Sequence, residues 1–244
     1  MELSGAVALV TGSSSGIGAA VASSLARHGA HVVVNSRSSV QEGERVAAEL
    51  GGSYRQADVA DPGAARALVA DVVAAHGRLD VLVNNAGTTE VIDHADLASA
   101  TPEVWMRLYA TNVVAPWVLT AAAAPTLAAS PRGSGCVVNI GSLAGLRPVG
   151  SSIPYAASKA ALHHQSRLLA ATLGPGVRVN VVAPGLVRTP WTADWSDTRA
   201  FVEAMAPMGR EATPEDVAVV VEMLVLSGYV TGEVVVVDGG LQLR

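Results

Sequence analysis

Short strand-like runs, most of them Val-rich and apolar, recur along the chain at 6–11, 31–36, 53–57, 81–84, 136–141, 178–183 and 233–237. Runs without polar alternation are what parallel strands show when helices cover both faces. Longer stretches between them, at 16–29, 40–50, 62–76, 102–129 and 155–173, read as helices. This alternation predicts an α/β fold: a doubly wound, seven-stranded parallel sheet with right-handed crossovers and helices on both faces. No linker-like break or repeat interrupts it, so residues 1–244 are expected to form a single domain. Segment 190–213 departs from the pattern. It is long, follows a strand end, and carries Trp191, Trp195, Phe201, Met205 and Met208. Such segments at strand C-termini serve as lids or binding loops, so a substrate lid is expected there.

Composition narrows the function classes. The 244 residues are half apolar and 15% charged, enough for one large buried core. The net charge of -5 and the lack of any Lys/Arg cluster argue against a nucleic-acid partner. A single cysteine, Cys136, allows no internal disulfide and permits a reducing compartment. No apolar run reaches membrane-spanning length. Glu2 followed by a strand-like run does not read as a secretory signal. A cytoplasmic protein with no membrane and no metal site is the expectation.

The first strand leads into Thr11-Gly12-Ser13-Ser14-Ser15-Gly16-Ile17-Gly18 and then a helix. Glycines at a strand-to-helix turn let the backbone approach a pyrophosphate, and the helix N-terminus offers free N–H groups to the anion. With the strand before it and the helix after it, this predicts a Rossmann-like fold and a nucleotide ligand. At the end of the second strand, Asn35-Ser36-Arg37 lacks the acid that takes the ribose hydroxyls of NAD. Arg37 can clamp a 2′-phosphate, which favours NADP(H) and leaves NAD(H) possible; a solvated surface arginine is the other reading. Asp58, before Val59, can accept from an adenine amino group or simply cap the turn before Asp61-Pro62. Asn84-Asn85-Ala86-Gly87 lets the chain pass close under a ligand, or is an ordinary turn.

Tyr155 and Lys159 stand four apart in Y-A-A-S-K, hence on one helix face, one turn apart. A lysine cation held beside a phenol favours the phenolate, so Lys159 is expected to lower the Tyr155 pKa and make it fit for acid–base work. Ser142, thirteen residues earlier, is a catalytic candidate or a turn cap. Pro116 lies four residues after Asn112 and has no N–H. The Asn112 carbonyl therefore lacks its helical donor and is free for a water. His163 and His164 read as packing or interface residues, and Cys136 as core. Asp194, Asp197, Glu203 and Glu211 read as solvated loop charges. Trp191 and Trp195 are divided between loop packing and substrate contact.

T-G-S-S-S-G-I-G, Asp58-Val59, N-N-A-G, Asn112, Ser142, Y-A-A-S-K, Pro184-Gly185 and Val237-Asp238-Gly239-Gly240 together resemble the short-chain dehydrogenase/reductase family over nearly the whole chain. The overall look is similar to bacterial 3-oxoacyl-carrier-protein reductases. The resemblance implies an oxidoreductase that interconverts a carbonyl and an alcohol by hydride transfer. Its catalytic set would be Asn112, Ser142, Tyr155 and Lys159, with Lys159 also on the nicotinamide ribose. The cofactor would meet Gly12, Ser14, Ser15, Gly16, Ile17, Gly18, Arg37, Asp58, Val59, Asn85, Ala86, Gly87, Tyr155, Lys159, Pro184, Gly185, Val187 and Thr189. Substrate would meet Ser142, Tyr155, Trp191 and Trp195. The resemblance also implies a homotetramer or homodimer. A 3-oxoacyl thioester is one alternative substrate, although Arg132 and Arg167 alone offer a basic surface to a carrier protein. A non-catalytic nucleotide sensor is the other alternative; the intact Tyr155–Lys159 pair counts against it.

Overall fold

The seven strands form one parallel sheet in the order β3-β2-β1-β4-β5-β6-β7. The computed structural model describes residues 3–244, so Glu2 lies outside the described residues. The strands are β1 Val7–Val10, β2 His31–Ser36, β3 Ser53–Gln56, β4 Val81–Asn84, β5 Gly135–Ile140, β6 Val177–Pro184 and β7 Val234–Val237. The helices are α1 Gly16–Arg27, α2 Val40–Glu49, α3 Pro62–His76, α4 Pro102–Tyr109, α5 Ala115–Ala128, α6 Ile153–Leu173, α7 Ser196–Met205 and α8 Pro214–Leu226. Strand order reverses between β1 and β4, the place where open α/β sheets bind ligands beyond their strand C-termini.

The apolar runs divide by strand alternation. Ala8, Val10, Val32, Val34, Val81 and Val83 face α1, α2 and α8. Val7, Leu9, Val33, Leu82, Val137 and Val179 face α3, α5 and α6. The central strands β1, β2, β4, β5 and β6 are thus buried on both sides, which is why they lack a polar face, whereas the edge strand β3, Ser53–Gln56, is polar and only partly buried.

Three features depart from the sequence reading. The expected helix at 102–129 is interrupted by a π turn at Ala110–Val114 that contains Asn112. Pro116 supplies the reason: with no N–H it cannot continue the i+4 ladder, and a π turn absorbs the break. The segment 190–213 is not simply a loop. It holds a 3-10 turn, Pro190–Thr192, and then helix α7. Helix α8 was not foreseen, although Thr213 and Asp216 cap it reciprocally. Among the described residues no helix is long and apolar enough to cross a membrane.

Candidate active site

The glycine turn is held by side chains from the neighbouring strand ends. Thr11 Oγ1 accepts from the amides of Asn85 and Ala86, each at 3.1 Å. Asn85 Nδ2 donates to the carbonyls of Thr11 and Gly12, each at 2.9 Å. Asn35, buried at the end of β2, accepts from Gly12 N at 3.3 Å and donates to the carbonyls of Arg55 and Ala57. Sequence reasoning gave Asn35 no role of its own; its only signal is an amide after the three valines of β2.

This turn fits a dinucleotide. Gly12 has φ of 62°, and a Cβ there would lie 2.9 Å from Ala86 Cα. A Cβ on Gly18 would lie 2.4 Å from Gly12 O. A Cβ on Gly16 would meet the Thr189 methyl at 3.3 Å, so the loop after β6 closes over the turn. Ser15 begins α1 in extended backbone and makes no side-chain cap, which leaves the first amides open to a phosphate. Ser14, Ile17 and Gly18 complete the turn. Arg37 is exposed past β2. Asp58 does close a turn, accepting from Ala60 N at 3.0 Å, while Asp61 caps α3. Buried Val59 follows it. Gly185 packs against Asp238, whose carboxylate accepts from Gly240 and Gln242 amides, tying the Pro184-Gly185 loop to the C-terminus.

Asn112, Ser142, Tyr155 and Lys159 come together at the C-terminal end of β4 and β5. Asn112 is buried, and its side chain clamps Thr88. Oδ1 accepts from Thr88 N at 3.0 Å, and Nδ2 donates to Thr88 O at 2.9 Å and to Ser158 Oγ at 3.0 Å. Its side chain is therefore occupied, and only its carbonyl, in the π turn, is suited to a water. Gly87 passes beside it: a Cβ there would stand 3.5 Å from Asn112 Oδ1 and 3.7 Å from Lys159 Nζ. Ser142 begins a 3-10 turn and accepts from Ala144 N at 3.2 Å, so it is a cap and also a neighbour of the Tyr155 hydroxyl. The Tyr155 ring packs on Ile92, Val104 and Leu108.

The electrostatics correct one expectation. Lys159 does not lower the Tyr155 pKa here. Burial pushes the phenol up, and only the Ser142 hydroxyl draws it back. Lys159 Nζ donates to Ile140 O at 2.9 Å and lies 5.8 Å from the Tyr155 ring centre. Its own pKa falls to about 8 through burial. Tyr155 is thus protonated at neutral pH.

Lys159 is the only lysine in the chain, so an ε-13C lysine NMR titration reads it without assignment. A midpoint near 8 is expected; a midpoint at the ordinary 10.5 contradicts the buried placement. The sign for stability follows. Below pH 8 both folded and unfolded states carry the proton, and the burial cost, about 3 kcal/mol, is present in full. Between 8 and 10.5 the unfolded state holds more protons, so stability rises with pH. Lys159→Met is expected to melt higher than the parent at pH 7.

Glu211 is a second correction. It is fully buried, not solvated, with Oε1 accepting from Arg188 Nε at 2.6 Å and Arg199 Nε at 3.0 Å. Arg199 also reaches the carbonyls of Thr192 and Ala193, and Val187 bridges to Ala212. This knot roots α7 on the loop that carries buried Val187 and Thr189. Trp191 is half exposed on the turn before α7, and Trp195 stands at its start. Cys136 is buried core, and burial raises its thiol pKa. Arg132 does not flank the cleft. It shares a small pocket with Asp80, Cys136 and Arg178 at the N-terminal strand ends. Exposed Arg147 and Arg188 lie in the loops after β5 and β6, on the cleft side, with Arg188 paired to Glu211. Among the described residues no His/Cys/Asp/Glu group could hold a metal.

A parallel sheet with a glycine turn at its switch point and a tyrosine–lysine pair beside it defines a nucleotide-dependent oxidoreductase. The family model described as Enoyl-(Acyl carrier protein) reductase matches residues 12–242. The chain belongs to the short-chain dehydrogenase/reductase family and is an oxidoreductase. It is 54% identical to the Streptomyces violaceoruber protein named "Granaticin polyketide synthase putative ketoacyl reductase 2", over 97% of this chain and 96% of that one. It is 38% identical to human "Dehydrogenase/reductase SDR family member 4", over 99% of this chain and 89% of that one. Among solved structures, the Pseudomonas aeruginosa RhlG/NADP active-site complex superposes with a TM-score of 0.90 at 34% identity, covering 98% and 97% of the two chains.

Proposed function

We propose that this oxidoreductase uses NADPH to reduce a ketone to a secondary alcohol, with Tyr155 as the acid. The observation that carries the reading is the meeting of Tyr155, Ser142 and Lys159 around helix α6, with a phenol that is protonated at neutral pH. The nicotinamide, when bound, supplies the hydride. Ser142 Oγ and Tyr155 Oη hold the substrate oxygen, and Tyr155 gives it the proton. Lys159 holds the nicotinamide ribose and passes a proton to the phenol. The Asn112 carbonyl holds the water that links Lys159 to solvent. Gly12, Gly16 and Gly18 admit the pyrophosphate, and Asp58 accepts from the adenine.

Arg37 in place of an acid supports NADPH over NADH. Arg37→Ala is expected to weaken NADPH about tenfold and leave NADH unchanged, because a charge-assisted phosphate contact is worth about 1.5–3 kcal/mol. Fluorescence titration with each dinucleotide checks this; equal loss for both sinks the 2′-phosphate role.

A 3-oxoacyl thioester is the substrate class we favour. The granaticin relative supports it, and Arg147 on the cleft side supplies basic surface that the sequence reading sought in the wrong place. NADPH oxidation with a 3-oxobutanoyl N-acetylcysteamine thioester is expected to exceed that with simple ketones. No turnover of the thioester would return the substrate to the wider carbonyl class.

The segment 190–213 acts as a lid over the substrate, rooted at Glu211, on the single domain 1–244. Exposed Trp117 and Leu168 flank a groove with Ala161, His164 and Gln165, which supports pairing of α5 and α6 with a second copy in a homodimer or homotetramer. The one buried, unpaired cysteine is consistent with a cytoplasmic location.

A further inference from the structure

Helix α6 carries more of this site than the Tyr155–Lys159 pair. His163 follows Lys159 by four residues and continues the same stripe. It is 2% exposed. Its Nε2 accepts from the Ser142 amide at 3.4 Å. One turn earlier, Lys159 Nζ donates to the Ile140 carbonyl at 2.9 Å. Two side chains of one helix therefore grip the main chain on either side of Gly141. The loop is shaped to the imidazole. A Cβ on Gly141 would lie 2.3 Å from His163 Nε2, and one on Gly145 would lie 2.6 Å from His163 Cε1.

We infer that His163 is a positioning residue for Ser142: a neutral imidazole that seats the 141–145 loop and so fixes where the Ser142 hydroxyl meets the substrate oxygen. This rests on the role proposed above for Ser142.

An acceptor at Nε2 requires the proton on Nδ1. That Nδ1 is buried without a partner. A buried polar group left unpaired costs about 1–3 kcal/mol, which an apolar residue of similar size would not incur. Packing alone is thus a poor account of a histidine here. The charged groups facing the ring are Lys159 and Arg167. Burial first, and then these two charges, hold its pKa down to about 4, so it stays neutral across the working range. A second proton would turn Nε2 into a donor facing the Ser142 N–H and break the seat.

Opposite movements of stability and turnover test the inference. His163→Leu fills the space without an acceptor. It is expected to lower kcat about tenfold, since small misplacements of reacting groups are costly. It should melt at or above the parent and keep the parent's NADPH affinity. His163→Gln, whose amide oxygen can take the Ser142 N–H, should recover most of the kcat. The Tyr155 limb of the kcat–pH profile should move up in His163→Leu, as in Ser142→Ala, because both lose the Ser142 pull on the phenol. The double variant should be no slower than Ser142→Ala. Independently of activity, 15N-histidine NMR of the unmutated protein should show His163 protonated on Nδ1.

Parallel loss of stability and turnover in His163→Leu without rescue by Gln overturns the positioning role. Unchanged kcat in His163→Leu beside an impaired Ser142→Ala does the same, as does a proton on Nε2. An unimpaired Ser142→Ala with the Nδ1 proton present overturns the role of Ser142 itself, and the inference with it.

Discussion

Tyr155→Phe is expected to lower kcat about a thousandfold, the range that loss of a positioned general acid produces. The dinucleotide affinity should stay near the parent value. The substitution removes one hydroxyl. The ring that packs on Ile92, Val104 and Leu108 remains, so the fold around it is undisturbed. The loss falls on proton delivery to the substrate oxygen, because Ser142 alone can bind that oxygen but cannot replace the acid. Parallel measurement of kcat and of NADPH Kd checks the split. Retained turnover would refute the acid role, and lost binding would mean that the phenol holds the cofactor instead.

Gly18→Ala is expected to weaken NADPH binding about tenfold or more and to cost about 1–3 kcal/mol of stability through overpacking. The new methyl would lie 2.4 Å from Gly12 O, 2.5 Å from Asn85 Nδ2 and 2.7 Å from Ser13 Cα. Those atoms cannot all retreat, since Asn85 Nδ2 pins the Gly12 and Thr11 carbonyls. Either the pin breaks or the turn moves away from the phosphate path. Gly51→Ala separates this effect from a general glycine penalty. Gly51 has φ of 63° and open space around it, so Ala there meets only left-handed backbone strain and should leave NADPH affinity alone. Equal affinities in Gly18→Ala and the parent would show that the turn is not a cofactor cradle.

Much of this architecture was legible in the residues. Val-rich runs such as 31–34 and 81–83 face helices on both sides, so their lack of alternation reports the sheet directly. The four-residue step from Tyr155 to Lys159 gives one helix face because helical period is a property of spacing alone. Other features depend on what lies far away in sequence. Glu211 reads as a loop charge because its partners, Arg188 and Arg199, are 23 and 12 residues distant. Helix α8 buries Val217, Val221 and Leu224 but also carries apolar Val219 and Met223 on its exposed side, which blurs the amphipathic pattern; its Thr213–Asp216 cap was the usable signal. The direction of the Tyr155 shift was misjudged because spacing gives the neighbour but not the burial, and burial dominates there. Asn112 was found for its carbonyl, while its side-chain clamp on Thr88 had no local sign.

Isotope transfer tests the central claim most directly. NADPH deuterated at the nicotinamide C4 is incubated with the protein and a 3-oxobutanoyl thioester, and the product is weighed by mass spectrometry. The account requires deuterium at the carbinol carbon of the hydroxy product from one of the two C4 epimers, formed about a thousandfold more slowly with Tyr155→Phe. Unlabelled product, or unreacted substrate under saturating NADPH, would contradict ketone reduction of this substrate by this site.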